Sequence, residues 1–302
     1  MKRFLVNLWN KSVDCYLKAK DVFHAISDFC YRHCHQAPEV VSIEETLSYI
    51  MEHHCSVSRL GDGEIKLVAG KNLGFQKATK EIQQRMIDVL AHPIPNHIVC
   101  LPDIFRDLNQ YEPGASRHWR KHLSYYRKYW YRYTDKNRKF YNAFISRCYM
   151  MFQDKSNVQK HFLHLKQLWD KKNIIIVEGE KSRLGIGNDL FDNASSIKRI
   201  LGPNTEAFHY YDKIIQAVNQ FPKSTLILLA LGPTATIMAY DLARQGYQAI
   251  DLGHVDIEYE WFRMGATHKV PVKNKFVNEA GAGVGVGELN DQRYLSEIVW
   301  HY

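Results

Sequence analysis

The stretch Ser58-Arg59-Leu60-Gly61-Asp62-Gly63-Glu64 sets two carboxylates two residues apart between glycines. On an extended backbone residues i and i+2 point to the same side, so Asp62 and Glu64 would face one divalent cation together. Gly61 and Gly63 carry no side chain to keep a bulky anion away. Hard oxygen donors suit Mg²⁺ or Mn²⁺, which usually keep water and substrate oxygens as their other ligands, so the pair predicts a cation carrying a diphosphate. An isolated Asp-Gly-Glu is explained as simply by a solvated turn, since turns favour Gly and Asp. The surroundings decide between the two.

Three later stretches hold residues that could complete such a site. Glu178-Gly179-Glu180-Lys181-Ser182-Arg183 offers Lys181, Ser182 and Arg183 to phosphate oxygens. Leu231-Gly232-Pro233-Thr234-Ala235 is a glycine-containing entry to a helix, whose free N–H groups and dipole favour an anion. It is neither G-x-G-x-x-G nor a Walker P-loop, which argues against a dinucleotide cofactor and a P-loop NTPase. In Gly253-His254-Val255-Asp256-Ile257-Glu258-Tyr259-Glu260-Trp261 four ionisable groups alternate. An extended backbone puts all four on one side; a helical one pairs His254 with Glu258 and Asp256 with Glu260. Either arrangement gathers groups suited to acid–base work.

The elements that must position these residues read as an α/β chain. Ser42 followed by Glu45 is a capping box opening a helix through Met51. A short strand at 56–59 delivers the Asp-Gly-Glu turn, a helix follows from Ile65, another spans Ala78–Leu90, and His97–Leu101 is a buried strand. From Lys171 strands and helices alternate: Asn173–Glu178, Ile197–Leu201, Ser224–Ala230 and Gln248–Gly253 are strands, with helices at 211–219 and 234–245 between them. Continuous apolar strands of this kind are buried on both faces of a parallel sheet. The pattern predicts a Rossmann-like, mostly parallel sheet flanked by helices, in which ligands bind beyond the carboxyl ends of the strands.

Two regions stand apart. Residues 1–36 read as an amphipathic helix or helix pair, with Leu5, Leu8, Trp9, Ser12, Val13, Tyr16 and Leu17, then Val22, Phe23, Ile26, Phe29 and Cys30, at helical spacing. This stripe predicts a docking face for a second copy or a partner subunit; with Lys2, Arg3, Lys11, Lys18 and Lys20 beside its aromatics, a peripheral membrane contact is the alternative. Arg117–Lys139 carries nine Lys and Arg against the single acid Asp135, interleaved with Trp119, Trp130 and five tyrosines. Such mixing suits nucleic acid, sugar rings or a membrane surface, and equally a helical excursion with its aromatics in the core.

Composition narrows the classes. The 302 residues, 45% of them apolar, suffice for a sizeable core. A net charge of +8 points to an anionic partner without choosing one. The six cysteines show neither paired C-x-x-C spacing nor a disulfide framework, and the Cys30, His33, Cys34, His35 cluster lacks a second pair for zinc. No apolar run is long enough to cross a bilayer and no signal peptide is visible, so a cytoplasmic site is expected, with the inner membrane face admitted.

With these motifs in order, the sequence resembles the GT-D-fold glycosyltransferases, a bacterial family first described as a domain of unknown function. The resemblance rests on Ser58–Glu64, Glu178–Phe191 (EGEKSRLGIGNDLF), Gly232–Tyr240 (GPTATIMAY) and Gly253–Trp261 (GHVDIEYEW), together with Lys275-Phe276-Val277-Asn278-Glu279. It runs from about Ile43 to Glu279, leaving 1–36 as a helical extension and 37–302 as one domain with a helical basic-aromatic excursion at about 105–170.

The resemblance implies a hexosyltransferase that moves a sugar, glucose-type by preference, from a UDP-sugar to a hydroxyl of a protein- or lipid-linked glycan. Asp62 and Glu64 would hold Mn²⁺ or Mg²⁺. Arg59, Lys181 and Arg183 would meet the diphosphate, Gly232 and Thr234 would approach the nucleotide, and His254, Asp256 or Glu258 would deprotonate the acceptor. A homo-oligomer or a partner glycosyltransferase could engage the first helix, and nucleic acid is not favoured. Two other classes compete: a metal-dependent phosphohydrolase using His254 and the acids as ligands, and a non-catalytic module gripping an anionic polymer.

Overall fold

The computed structural model describes residues 2–277, 279–280 and 286–302, with side chains from Ser12 onward except those of 13, 14 and 17. Asn278, and the side chains of Leu5, Leu8, Trp9, Val13, Leu17, Lys2, Arg3 and Lys11, lie outside the described residues.

Among the described residues, nine strands form one sheet: β1 (Glu39–Val40), β2 (Ser56–Arg59), β3 (His97–Leu101), β4 (Lys139–Asn142), β5 (Asn173–Gly179), β6 (Ser196–Gly202), β7 (Leu226–Ala230), β8 (Ala249–Asp251) and β9 (Ile298–His301). Their order is β1-β4-β3-β2-β8-β7-β5-β6-β9 and every neighbouring pair is parallel. The centre is apolar because it is covered twice. Ile174 and Ile176 of β5 and Leu226 and Leu228 of β7 enter one core; Ile175, Val177, Ile227 and Leu229 enter the other. Alternate residues of a strand face opposite sides, so a strand buried on both faces reads as an apolar run; in β5 the exception is Glu178 near its end, buried and paired with Arg199 of β6.

The chain runs outward from β2 through β3 to β4 on one side, while β8, β7, β5 and β6 lie on the other. The switch between β2 and β8 is where open α/β sheets bind ligands. The strands not anticipated from sequence are β1, β4 and β9, all short and near the edges. β4 falls within the excursion expected to be helical over 105–170.

Ten α-helices surround the sheet among the described residues, and three of them set the site. Asp62–Val68 forms α3, Pro233–Arg244 forms α8 and Val255–Arg263 forms α9. The first helix, α1, is continuous over Lys2–Cys34 rather than a pair. Its carboxyl half lies along α5 (Pro113–Tyr133): Asp21 pairs with Arg117 at 3.0 Å, Asp28 with Arg127, and Tyr31 meets Tyr131 edge-on with ring centroids 5.2 Å apart. Trp119 and Trp130 of α5 are buried, so much of the basic-aromatic run is core packing, with most of its cations exposed and Arg127 buried against α1. Among the described residues, no helix is long and apolar enough to cross a membrane.

Candidate active site

Beyond the carboxyl ends of β5 to β8 lies a cleft of about 780 Å³, its open mouth included, within the range usual for small-molecule sites. Each strand contributes its following loop: Gly179 and Ser182 after β5, Pro203, Asn204 and Glu206 after β6, Leu231–Pro233 after β7, and Gly253, His254 and Asp256 after β8. Phe75 and Phe276 add two aromatic walls. Backbone dominates the floor. A Cβ on Gly179 would press on Asn204 and Ser182, and Gly232 takes φ +54° with the Phe75 ring beside it.

Gly232 leads into α8, and Gly232 and Pro233 line the cleft, which sets the positive end of the helix dipole beside it. Thr234 sits in that turn, 1% exposed, and its hydroxyl has no hydrogen-bond partner. A buried polar group is normally bonded, so this orphan, one residue past the cleft-lining Pro233, stands out.

The Asp-Gly-Glu motif is not extended. Asp62 and Glu64 occupy the first turn of α3, where residues i and i+2 diverge around the helix, and the expected common face is corrected accordingly. Glu64 folds back so that its Oε2 accepts from the Gly61 amide at 2.7 Å, a helix-start bond that short Gly-flanked acids make readily. Asp62 pairs with Lys66 at 2.5 Å and with His118 of α5 at 3.6 Å. Burial works against the Asp62 carboxylate, but the His118 and Lys66 contacts outweigh it and hold its pKa well below the usual range. Glu64 goes the other way. Burial pushes it up to about 7, and the charges of Asp251 and Asp62 add to the rise against its backbone hydrogen bonds.

Among the described residues, no three His, Cys, Asp or Glu side chains are grouped to hold a metal. A cation here would have to arrive with most of its ligands, because Asp62 and Glu64 point apart and Asp62 is already paired with Lys66 and His118. Glu64, crowded by like charges, gains from a cation, and Mg²⁺-type ions commonly take one or two carboxylates plus substrate phosphates.

The remaining sequence candidates divide sharply. His254 lines the cleft, its Nδ1 3.4 Å from an Arg147 nitrogen. Burial, helped by Arg147, lowers its pKa to about 4, so its imidazole is neutral near pH 7. Asp256 also lines the cleft, but its oxygens are filled: Oδ1 accepts from the Gly185 amide at 2.8 Å and Asn188 at 2.7 Å, and Oδ2 from Lys275 at 2.5 Å. Glu258 lies away from the cleft and accepts from the amides of Tyr149 and Met150 at 3.2 and 3.0 Å. The helical alternative for this motif is the one adopted.

Of the expected diphosphate contacts, Ser182 lines the cleft, while Lys181 precedes it with its amide donating to the cleft-lining Asn204. Both arginines turn into the protein. Arg59 donates to the Asp251 backbone oxygen at 2.7 Å and its carboxylate at 3.1 Å, lying so close under Gly253 that a Cβ there would collide with it. Arg183 donates to the backbone oxygens of Asn274 and Gly287. Gly61 and Gly63 are half-buried at the start of α3.

Several residues escaped the sequence reading. Asp251, buried at the end of β8, anchors Arg59 and Thr236. Arg147 joins His254 to Glu279, which it contacts at 2.5 Å. Glu206 holds the loop carrying Phe75 through the Lys77 amide and Gln76. Lys275 and Glu279 fell inside a stretch already singled out; nothing near Arg147 or Phe75 carried a signal.

A family model described as glycosyltransferase GT-D fold matches residues 57–280. The chain belongs to the GT-D-fold glycosyltransferase family. It is 40% identical over 269 residues to a probable glycosyl transferase Gly of Streptococcus gordonii, aligning over 86% of this chain and 38% of that protein. It is 39% identical to glycosyltransferase GlyD of Streptococcus pneumoniae, over 86% of this chain and 32% of that one. The chain thus matches about a third of the length of these curated relatives. Among solved structures it is similar to a glycosyltransferase (DUF1792) from Streptococcus sanguinis, with TM-score 0.84 at 40% identity, covering 88% of this chain and 99% of that chain. A second, described as the DUF1792 domain with a distinct glycosyltransferase fold, gives TM-score 0.86 at 40% identity over 91% and 99%.

Proposed function

We propose that this GT-D-family chain is a glycosyltransferase that moves a hexose, glucose-type by preference, from a UDP-sugar to a hydroxyl of a protein- or lipid-linked glycan, with Mn²⁺ or Mg²⁺. The observation that carries the reading is the cleft beyond the carboxyl ends of β5 to β8, where Gly232 and Pro233 at the start of α8 share the lining with His254. The α8 amides, Thr234, Ser182 and Lys181 bind the nucleoside diphosphate. Asp62 and Glu64 would hold the cation, which when bound would offset the charge that grows on the leaving diphosphate. Arg59 and Arg183 act as positioning residues: one fixes the strand end ahead of the motif, the other ties the Lys181 loop to the chain around Asn274.

Neutral His254 accepts the acceptor's proton, and Arg147 orients its ring. Asp256 and Glu258, expected as alternatives, hold backbone and Lys275 in place instead. The same saturation leaves the phosphohydrolase reading without the acids it requires as ligands. The protein acts on the cytoplasmic side of the membrane, where nucleotide sugars are supplied.

The test is a donor screen with purified protein, Mn²⁺ and a panel of nucleotide sugars, detecting released UDP with and without a glycan acceptor. Acceptor-dependent UDP release is expected. Absence of UDP binding by calorimetry with Mn²⁺ present overturns the reading. Acceptor-independent phosphate release supports the hydrolase instead.

A further inference from the structure

The loop that follows β5 is held in a shape its own backbone does not favour. Ser182 and Leu184 line the cleft, and Arg183 between them takes φ +53°. Side chains with a Cβ rarely adopt that left-handed conformation unless their surroundings impose it. Arg183 itself reaches the backbone oxygens of Asn274 and Gly287. The next residue is fixed from within the sheet: the Leu184 amide donates to Oε2 of Glu178 at 2.7 Å. Glu178 is fully buried, so this bond is made without competition from water.

The other Glu178 oxygen is where the C-terminal segment enters. Oε1 accepts from a terminal nitrogen of Arg199 on β6 at 2.5 Å, and Arg199 is 1% exposed. The Arg199 Nε donates in turn to Oε2 of Glu297 at 2.7 Å. Glu297 ends α10 (Gln292–Glu297), and its other oxygen accepts from Arg293 at 3.3 Å. Tyr294 of the same helix sets its ring beneath the Arg199 guanidinium, 5.0 Å from the central carbon. β9 follows at once and pairs in parallel with β6, its register shifting at Arg199. Glu297, Arg199, Glu178 and the Leu184 amide therefore form one chain of contacts from α10 to the cleft.

The chemistry of arginine says what Glu297 does in this chain. A guanidinium presents paired N–H groups in a planar fork that fits both oxygens of a carboxylate. Left to itself beside Glu178, Arg199 would take Oε1 and Oε2 together and strip the acceptor from Leu184. It meets only Oε1 because its Nε edge is drawn to Glu297 and its face is laid on Tyr294. One arginine shared between two carboxylates leaves one oxygen of Glu178 over, and that oxygen holds the loop. We infer that Glu297 is a positioning residue for the nucleotide-binding loop. Through Arg199 it keeps Oε2 of Glu178 on the Leu184 amide, and so keeps Ser182 and Leu184 on the cleft wall. The inference rests on the proposed reading of the cleft as a nucleoside diphosphate site.

Hydrogen exchange on overlapping peptides across residues 180–186, without nucleotide, tests the chain of contacts itself. Glu297→Ala is expected to speed exchange at Leu184 by about tenfold or more, with β5 and β7 exchanging as in the wild type. In calorimetry with Mn²⁺ the same variant is expected to bind UDP about tenfold more weakly. With UDP-glucose as donor its KM should rise by a similar factor and its kcat stay within about twofold, because His254 is untouched. Glu297→Gln keeps an acceptor for the Arg199 Nε and is expected to restore all three. Should Glu297→Ala fail to fold, Glu297→Asp carries the same expectations, its carboxylate one carbon short of Arg199. Leu184 exchange unchanged in these variants overturns the inference, as does exchange that rises evenly across the sheet. Leu184 freed with UDP affinity unmoved overturns the role in nucleotide binding. Wild-type protein that binds no UDP overturns the proposed function instead, while the exchange measurement still decides whether Glu297 sets the Leu184 amide.

Discussion

Two groups of carboxylates stand at the same end of the sheet and are treated in opposite ways. Asp256 and Glu260, on one face of α9, share Lys275 and Asn188; both Asp256 oxygens are filled and its side chain is 2% exposed. Asp62, Glu64 and Asp251, around the β2–β8 switch, include one member raised to about 7 because burial and like charges outweigh its few bonds. A satisfied cluster stabilises and stays inert. In the second group Asp62 is held by Lys66 and His118 and Asp251 by Arg59, so Glu64 alone is undercompensated, and a binding partner of opposite charge would relieve its cost. On the function proposed above, the first group is structural and Glu64 of the second is the carboxylate open to a cation.

The largest effect should come from breaking the satisfied group. Lys275→Ala leaves Asp256 and Glu260 buried without their cation, and removing one partner of a buried pair typically costs about 3–5 kcal/mol. Urea titration should show that loss in midpoint, and nucleotide binding should fail only in proportion to the unfolded fraction. A variant of wild-type stability that no longer binds UDP would reverse the assignment of the two groups.

Glu64→Gln tests the other side. A carboxyl raised from 4.5 to about 7 in the folded state binds its proton more tightly there than in the unfolded chain. Its contribution to stability is therefore unchanged below pH 4.5, falls as pH rises to about 7, and is least favourable above that. The span is on the order of 3 kcal/mol. The glutamine variant should lack this decline in pH-dependent urea melts while losing UDP release. Mn²⁺ with UDP should raise the wild-type melting temperature and leave the variant's nearly unmoved. A parallel pH dependence in both proteins would show that Glu64 is solvated after all.

How much of this was legible in the sequence follows from the same contrast. Strands β5 and β7 announced themselves because burial on both faces makes each an apolar run. β1, β4 and β9 are two to four residues long and carry charged or half-exposed positions, so no periodicity marks them. The cleft motifs were visible because strand ends with glycine, threonine and histidine are unusual locally. Partnership was not: Lys275 reaches Asp256 across 19 residues, and Arg59 reaches Asp251 across 192. From sequence Arg59 and Arg183 are cations available to phosphate, whereas the fold engages Arg59 with the Asp251 carboxylate and backbone oxygens and Arg183 with backbone oxygens. The Asp-Gly-Glu backbone was misread because glycine-flanked acids suit a turn and a helix start equally well.

His254 belongs with the unsatisfied group although it is not acidic. With its pKa lowered to about 4, chiefly by burial, its neutral form persists through the physiological range. The unfolded chain takes up a proton near 6.5 and the folded one does not, so its contribution to stability is lost as pH falls from about 6.5 towards 4. His254→Asn should lower kcat about 100-fold or more with UDP affinity retained, since a positioned general base contributes that much. The kcat profile of the wild type should show no acid limb near 6.5. A limb there would mean that another group takes the proton.

The smallest effect is the most discriminating. Thr234 has a buried hydroxyl with no partner, so in the free protein it behaves as a polar group left over from a structure designed around something else. Thr234→Val keeps the shape and removes the orphan, which should leave stability unchanged or raise it by about 1 kcal/mol. If the hydroxyl bonds the nucleotide, the same substitution should weaken UDP binding by about 1 kcal/mol, several-fold in Kd, measured by calorimetry. Opposite signs on stability and affinity separate a ligand-directed group from a packing defect. A variant that gains stability and binds UDP as before would remove Thr234 from the site and leave the α8 amides to bind the diphosphate without it.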